Sequence, residues 1–311
     1  MNRLNIIHIN INGLRGRLTE LNLLLDEVPA DLLLLNETKL RDTEPPRIRG
    51  FKAAAYRNRQ AGRTAGGGVA IYAADNLCCK DISPDLDDIA AVEVALGVNA
   101  KLAVISHYVP PPSNGPDATA LAPFFAAYPA CLIVGDLNSK HQFYGCRSTD
   151  RAGEELFNMV ESNNLIVLID PDQATYFDAK HSDILDYAIA TEAVARMAKE
   201  CTVGEDIGSD HLPLMIELQP NHRINRHEQV MYRPLGSCDW GKYTTLLDEK
   251  IEPTQDCSLL SQQAIDSRCE EVHQAITSAL DSACPLRPVL KGVFRVSKAT
   301  LLLISREIYE E

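Results

Sequence analysis

Four short polar clusters stand at the ends of apolar runs, and together they hold the residue types of phosphoester chemistry. Asn10-Ile11-Asn12-Gly13 follows the run 4–9, and Asn36-Glu37-Thr38-Lys39 follows 32–35. Gly135-Asp136-Leu137-Asn138 follows 131–134, and Gly208-Ser209-Asp210-His211 precedes 212–218. Glu37 offers hard carboxylate oxygens, which suit Mg²⁺ or Mn²⁺. Asp136 is a candidate base for a water. Asn10 and Asn138 can donate amide hydrogens to phosphate oxygens without adding negative charge. His211 can donate to a phosphoryl oxygen. Asp186, in Leu185-Asp186-Tyr187, can hold that imidazole and keep it cationic, because a nearby carboxylate raises a histidine pKa. The set is an inventory for metal-assisted phosphoester hydrolysis. Each cluster alone is ordinary turn and cap chemistry; the combination carries the reading. The Walker A, HExxH and GxSxG signatures of rival chemistries do not occur.

These residues need elements to hold them. The short apolar runs 4–9, 31–35, 69–73, 102–105, 131–134, 165–169, 184–189 and 212–218 predict strands, and 90–96 continues the β pattern. Leu18, Leu21, Leu24, Leu25 and Val28 recur at helical spacing, and 153–162 reads as a second helix. Pro110-Pro111-Pro112-Ser113-Asn114-Gly115-Pro116 must be a loop. Helices interspersed among many strands predict an α/β or α+β domain that ends near Gln219-Pro220. After Trp240 the pattern becomes helical only, with Ile265, Cys269, Val272, Ile276 and Leu280 in one stripe and 300–308 as a further helix.

Composition narrows the class. The chain has 311 residues, 45% of them hydrophobic and 23% charged, which is globular and neither disordered nor fibrous. No apolar run approaches the ~20 residues that span a bilayer, so no membrane partner is expected. The first residues lack the pattern of a secretory signal. Nine cysteines without a CxxC pair point away from a disulfide scaffold and towards a reducing compartment, nuclear or cytoplasmic. The net charge of −13 excludes a simple basic nucleic-acid binder. The charge is uneven, however: residues 1–80 hold 12 Lys and Arg against 8 Asp and Glu, and 81–311 hold 18 against 35. Arg47, Arg49, Lys52, Arg57, Arg59 and Arg63 occur between 46 and 63 without a single acid. Such a run is either a solvated loop or a phosphate-holding patch.

The ordered set Asn10/Asn12, Glu37, Tyr108, Asp136-Leu137-Asn138, Asp186 and Ser209-Asp210-His211 resembles the endonuclease/exonuclease/phosphatase superfamily over about residues 3–220. The stretch Gly135-Asp136-Leu137-Asn138-Ser139-Lys140-His141, with Gly145 and Thr149-Asp150-Arg151-Ala152-Gly153, is most similar to the apurinic-type endonuclease domain of Jockey-like non-LTR retrotransposons. In those elements the domain precedes a reverse transcriptase in one polyprotein. The resemblance therefore implies a polyprotein piece truncated before that polymerase, with no Tyr-Ala-Asp-Asp motif of its own.

The resemblance implies an α/β fold, a four-layer α/β/β/α sandwich over 1–220. A linker and short C-terminal helical extension, 221–311, would correspond to the connector ahead of a reverse transcriptase. It implies that Glu37 binds the divalent ion, helped by Asn12, with Asp210 supporting the metal or the histidine. Asn10 and Asn138 would position the scissile phosphate and Tyr108 would hydrogen-bond it. Asp136 would orient or deprotonate the water. His211, oriented by Asp186, would stabilise the phosphorane. DNA is the implied substrate, gripped by Arg47, Arg49, Arg57, Arg59, Arg63 and Lys140. Element RNA and a polymerase domain are the implied partners in the intact parent. Asn12 stands where repair enzymes of this type have Asp, Asn36 replaces a commoner Gln, and Ser139 replaces Ala. The same motif set also serves phosphatases and RNA nucleases, and a catalytically idle remnant acting as a binding module would retain it in part.

Overall fold

The computed structural model describes residues 2–40, 44–58, 66–97, 99–112, 114–177, 182–226, 231–251, 262–285 and 287–288. The chain divides into two units, Met1–His227 and Glu228–Glu311. The first runs β1 (Leu4–Asn10), α1 (Leu18–Glu27), β2 (Leu32–Asn36), β3 (Phe51–Arg57), β4 (Val69–Ala74), β5 (Cys79–Asp81) and β6 (Ile89–Leu96). It continues through β7 (Ala100–His107), α2 (Ala118–Ala127), β8 (Ala130–Asp136), α3 (Arg151–Ser162), β9 (Ile166–Val167), β10 (Tyr176–Phe177) and β11 (Ser182–Asp183). It closes with β12 (Asp186–Ala190), α4 (Glu192–Ala195), β13 (Ala198–Val203) and β14 (Leu214–Leu218).

Two six-stranded mixed sheets face each other, ordered β13-β14-β1-β2-β4-β3 and β5-β6-β7-β8-β12-β9. Their facing side chains fuse into one core that takes Leu4, Ile6, Leu32 and Leu34 from the first sheet and Val104, Ile133 and Ile189 from the second. The alternate residues Ile7, Ile9, Leu33 and Leu35 point the other way and pack with Leu21 and Leu24 of α1. The period-two alternation of a strand thus makes β1 and β2 apolar on both faces. Leu121 and Phe124 of α2, with Leu156, Met159 and Val160 of α3, join the core at the second sheet. The result is the expected four-layer sandwich. Each buried Leu or Ile of such a core contributes ~1.5–3 kcal/mol relative to exposure.

Each sheet contains one parallel pair joined by a helix, β1-α1-β2 and β7-α2-β8. Parallel strands need such a crossover, and their carboxyl ends open onto a common crevice. Asn10, Asn36, His107 and Asp136 are the last residues of the four strands. The neighbouring strands β7 and β8 of the second sheet approach closely there. A Cβ built on Gly135 would lie 1.7 Å from the His107 carbonyl oxygen, so only glycine fits.

Several elements escaped the sequence pattern. The basic run is not simply a loop, because residues 51–57 form the edge strand β3, whose Lys52 and Tyr56 are exposed. α2 has apolar residues all round and Pro123 inside it, so it shows no stripe. β13 carries alternation too weak to register. The apolar run 165–169 yields only the two-residue β9.

The first unit continues past Pro220. Asn2 donates to the carbonyls of Pro220 (2.6 Å) and His222 (2.5 Å), Ile224 is buried, and Arg226 pairs with Asp31 at 2.6 Å. Residues 223–226 also pair through their backbone with Leu77, Cys78 and Ala95–Gly97. We expect a chain ending at His227 to keep the stability of this unit and one ending at Pro220 to lose ~2–4 kcal/mol, chiefly the burial of Ile224. Thermal melts of the two check this, with ~5–10 °C between them expected; coincident melts would show that the segment only decorates the surface.

The second unit holds β15 (Met231–Tyr232) paired with β16 (Arg287–Pro288), and α5 (Trp240–Lys250) packed against α6 (Gln262–Ala283). The described part of α6 buries Ala275, Ala279 and Ala283, whereas Ile276 is exposed. Of the expected stripe, Val272 and Leu280 are half-buried and Ile276 is exposed, while small alanines at four-residue spacing take the most buried positions. The side chains of Ile265 and Cys269, and the helix expected at 300–308, lie outside the described residues.

Candidate active site

The site forms where the two crossovers and the loop before β14 meet. Its backbone is unusual there: Asn12, Glu37, Lys39 and Asn138 have φ of 48°, 48°, 52° and 43°. Four of the five described non-glycine residues in the left-handed region thus fall within this one cluster. Such strain persists where surrounding contacts over-determine it.

On β1, His8 and Asn10 share the phase of Leu4 and Ile6 and so point between the sheets. Asn36 does the same on β2, in register with Asn10. Asn10 Nδ2 donates to Asp136 Oδ2 (2.8 Å) and to Glu37 Oε1 (3.2 Å). Asn36 Oδ1 accepts from the Asp136 amide (2.8 Å), and its Nδ2 donates to Ser106 Oγ (3.0 Å). Tyr108 donates to Glu37 Oε1 at 2.8 Å. The Asn138 amide donates to Asp136 Oδ1 (3.1 Å), while its side chain donates to the Val109 carbonyl (3.0 Å).

On the other side of Asp136 stands a histidine–carboxylate pair. Asp186 is the cross-strand partner of Asp136 in the β8–β12 ladder. Its Oδ2 accepts from His211 Nδ1 at 2.7 Å, and its Oδ1 accepts from His8 Nε2 at 2.8 Å. Thr175 Oγ1 accepts from the Asp186 amide (3.0 Å), and the Tyr176 ring lies 5.0 Å from that of His211. His211 Nε2 sits 3.8 Å from Asp136 Oδ2, too far for a direct hydrogen bond. Both groups face the same spot.

Burial and charge set the protonation states. Burial pushes the Asp136 carboxyl up to about 7, reinforced by the Asp186 charge and opposed by His211, Asn10 and Asn138. Burial would lower His211, but the Asp186 charge and hydrogen bond outweigh it and raise the imidazole to about 9. Burial likewise opposes ionisation of Asp186, yet the charge and hydrogen bonds of His211 and His8 hold it below the usual carboxylate range.

Two places have the donors of a metal site. Asp136, Asp186 and His211 bring ligand atoms within 4.8 Å of one another. Both Asp186 oxygens already accept from imidazoles, however, and a proton fills the role of cation there. At the second place, Glu37 Oε2 and Asn12 Oδ1 converge on the Lys39 ammonium, 3.2 Å from the carboxylate and hydrogen-bonded to the amide oxygen. Asp210 Oδ1 accepts from Asn12 Nδ2 at 3.1 Å. Hard oxygens gathered around a stand-in cation fit a hard divalent ion.

A family model described as endonuclease-reverse transcriptase matches residues 102–215. Two Drosophila melanogaster proteins are similar in sequence. The probable RNA-directed DNA polymerase from transposon X-element is 28% identical over 226 residues, covering 69% of this chain and 24% of that protein. The one from transposon BS is 22% identical over 312 residues, covering 98% and 34%. The chain thus spans about a quarter to a third of the length of these relatives. Among solved structures, the endonuclease domain of TRAS1, a telomere-specific non-LTR retrotransposon, superposes with a TM-score of 0.56 at 20% identity, over 72% of this chain and 99% of that one. AP endonuclease LMAP from Leishmania major gives 0.57 at 15%, over 70% and 88%. The chain thus matches an endonuclease family model over 102–215, resembles transposon polymerases in sequence and has the fold of these endonuclease structures.

The structure gathers Asn10, Asn12, Glu37, Tyr108, Asp136, Asn138, Asp186, Asp210 and His211 into one hydrogen-bonded cluster. It does not gather the basic residues with them. Lys140 pairs with the buried Asp183 at 2.8 Å, which Arg147 also contacts. Arg57 donates to the carbonyls of Ser83 and Pro84. Arg47 and Arg49 line a pocket of about 450 Å³ beside α1. Arg59 and Arg63 lie outside the described residues. Sequence reasoning named Lys39 and Ser209 without giving them a role, and passed over Thr175 and His8. Ser209 Oγ donates to the Asn10 carbonyl (2.7 Å) and ties the loop before β14 to β1. His8 left a signal: it is the one polar residue inside the run 4–9 besides Asn5, and its phase is that of the core. Among the described residues no helix is long and apolar enough to cross a membrane.

Proposed function

We propose that this chain is a divalent-metal-dependent DNA endonuclease that nicks a target strand and leaves a 3′-hydroxyl, as needed to prime reverse transcription. The observation that supports this most directly is the placing of an ionisable carboxylate, Asp136, and a cationic imidazole, His211, 3.8 Å apart and facing one spot. Asp136, oriented by Asn10 and the Asn138 amide, takes a proton from the attacking water. The water oxygen bonds to phosphorus as the P–O3′ bond breaks, and the departing O3′ takes a proton from solvent water to become the 3′-hydroxyl. His211 Nε2–H donates to a phosphoryl oxygen as negative charge grows on it. Asp186 supplies the charge that keeps the imidazole protonated. Tyr108 and Asn10 fix Glu37, and Glu37, Asn12 and Asp210 would hold the ion. Mg²⁺ or Mn²⁺ bound there would neutralise phosphate charge. Arg47 and Arg49 are proposed to grip the DNA backbone, and a polymerase domain and element RNA to be partners in a longer parent.

Nicking of supercoiled plasmid by the full chain, with and without Mg²⁺, tests the reading, and extension of the nick by a polymerase tests for a 3′-hydroxyl. Release of phosphate without nicking would make the chain a phosphatase. Inertness towards DNA with cleavage of RNA would make it an RNA nuclease. The rate should also follow a bell in pH. It should rise with pH as Asp136 ionises near 7 and fall as His211 deprotonates near 9. A profile of kcat/KM from pH 5.5 to 10 at fixed ionic strength checks both limbs, and a rate flat between pH 6 and 8 would remove Asp136 as the base.

A further inference from the structure

The function proposed above uses one nitrogenous partner of Asp186, but Asp186 has two. His8 lies in the middle of β1, at a position whose neighbours in phase are Leu4, Ile6 and Asn10, and its side chain is fully buried. Its Nε2 is 2.8 Å from Asp186 Oδ1. Because a carboxylate only accepts, Nε2 carries the proton. His8 Nδ1 is buried with no hydrogen-bond partner among the described residues. A core position of β1 therefore holds a polar ring whose one satisfied atom is the one on Asp186. An aliphatic residue would fill that space without leaving a buried nitrogen unsatisfied.

The geometry shows what the contact does. Asp186 is on β12 of one sheet and His8 on β1 of the other, so the bond crosses the sheet interface. His211 Nδ1 holds Oδ2 and His8 Nε2 holds Oδ1. With both oxygens engaged, the carboxylate plane cannot turn about its χ2 bond. The plane dictates the direction in which His211 Nδ1–H is received, and so where His211 Nε2 points. A carboxylate held by His211 alone could rotate, and the imidazole would rotate with it.

We propose that His8 is a positioning residue of the reaction, a second imidazole that clamps Asp186 across the sheet interface and thereby aims His211. This rests on the endonuclease reading for its kinetic consequence but not for its structural one. The glutamine amide places a donor about where histidine Nε2 lies, whereas asparagine places one about where Nδ1 lies and falls short of Asp186. His8→Leu removes the donor altogether.

The experiment uses the full chain with Mg²⁺ and supercoiled plasmid, measuring kcat and KM for His8→Leu, His8→Asn and His8→Gln. Alongside, NMR follows the low-field Nδ1–H proton of His211, which reports its bond to Asp186 whether or not the protein cuts DNA. We expect His8→Leu and His8→Asn to lower kcat by ~10- to 100-fold with KM within about threefold, in the range of lost orientation of a catalytic group, and to shift or broaden the His211 resonance. His8→Gln should restore both to near the parent. If His8→Leu does not fold, the Asn and Gln pair decides, since both are polar and of similar size. An inert parent whose His211 resonance responds in this pattern would sink the endonuclease reading and keep the clamp. A nicking parent with His8→Leu equal to it, or with Gln as damaging as Leu, would overturn the clamp and keep the endonuclease.

Discussion

His211→Ala should lower the nicking rate by ~10³- to 10⁴-fold while leaving the fold intact. Two contributions are lost together. One is the hydrogen bond from Nε2 to the phosphoryl oxygen, which strengthens as charge develops and carries ~10²–10³ in comparable sites. The other is the fixed positive charge beside Asp136, which otherwise helps that carboxylate to ionise. With the imidazole gone, Asp136 should titrate higher still, so the acid limb of the pH profile should move to higher pH. The residual rate should therefore climb steadily across the range where the parent is level. Asp186→Asn should cost less than His211→Ala, because it acts only by holding the imidazole charged and aimed. Steady-state rates for both variants, with circular dichroism as the control for folding, check this. If Asp186→Asn were the more damaging, the histidine would not be the group that meets the phosphate.

Glu37→Gln should abolish metal-dependent nicking at millimolar Mg²⁺, a loss of 10³-fold or more, with a stability change of about 1 kcal/mol or less. The side chain is only partly buried and sits beyond the end of β2, at a left-handed φ of 48°. Glutamine keeps the length and an acceptor for the Tyr108 hydroxyl. It removes the charge that balances the Lys39 ammonium, and that ammonium is exposed enough to be solvated instead. What the fold barely notices the ion must notice, since a hard divalent cation depends on anionic oxygen and the other donors are one amide and one carboxylate. Titration with Mn²⁺ followed by electron paramagnetic resonance reads occupancy without any need for turnover. We expect the parent to bind an ion that the variant does not. Equal binding by both would move the metal to the cluster of Asp136, Asp186 and His211 and make Glu37 a tether for Tyr108.

The sequence by itself determined more of this protein than the level of identity to its relatives would lead one to expect. Apolar runs of four to seven residues with polar residues at their ends announced β1, β2, β4, β8 and β14. The spacing of Leu18, Leu21 and Leu24 announced α1. Those signals are local: a strand buried on both faces must be apolar throughout, and a helix must bury a stripe, whatever the rest of the chain does. The residue types of the site were legible for the same reason, because Asn10, Glu37, Asp136 and His211 interrupt apolar runs where no core position needs them.

What only the tertiary structure decided is who touches whom. Asn10 meets Asp136 across 126 residues of sequence, and His8 meets Asp186 across 178. No periodicity within a strand encodes which residue of the opposite sheet it will face. That depends on how the two sheets are set against each other, fixed by the whole core and by cross-sheet contacts such as the Asp136 amide on Asn36 Oδ1. Nor could the sequence show that Lys140 is committed to Asp183, that residues 51–57 of the basic run are an edge strand, or that α6 buries alanines in preference to Ile276. A charge reads the same in sequence whether solvent, phosphate or a buried carboxylate receives it, and an apolar residue the same whether covered or bare. Only the packing of distant segments assigns the partner, because burial and electrostatic pairing are properties of the space around a side chain and not of its neighbours along the chain.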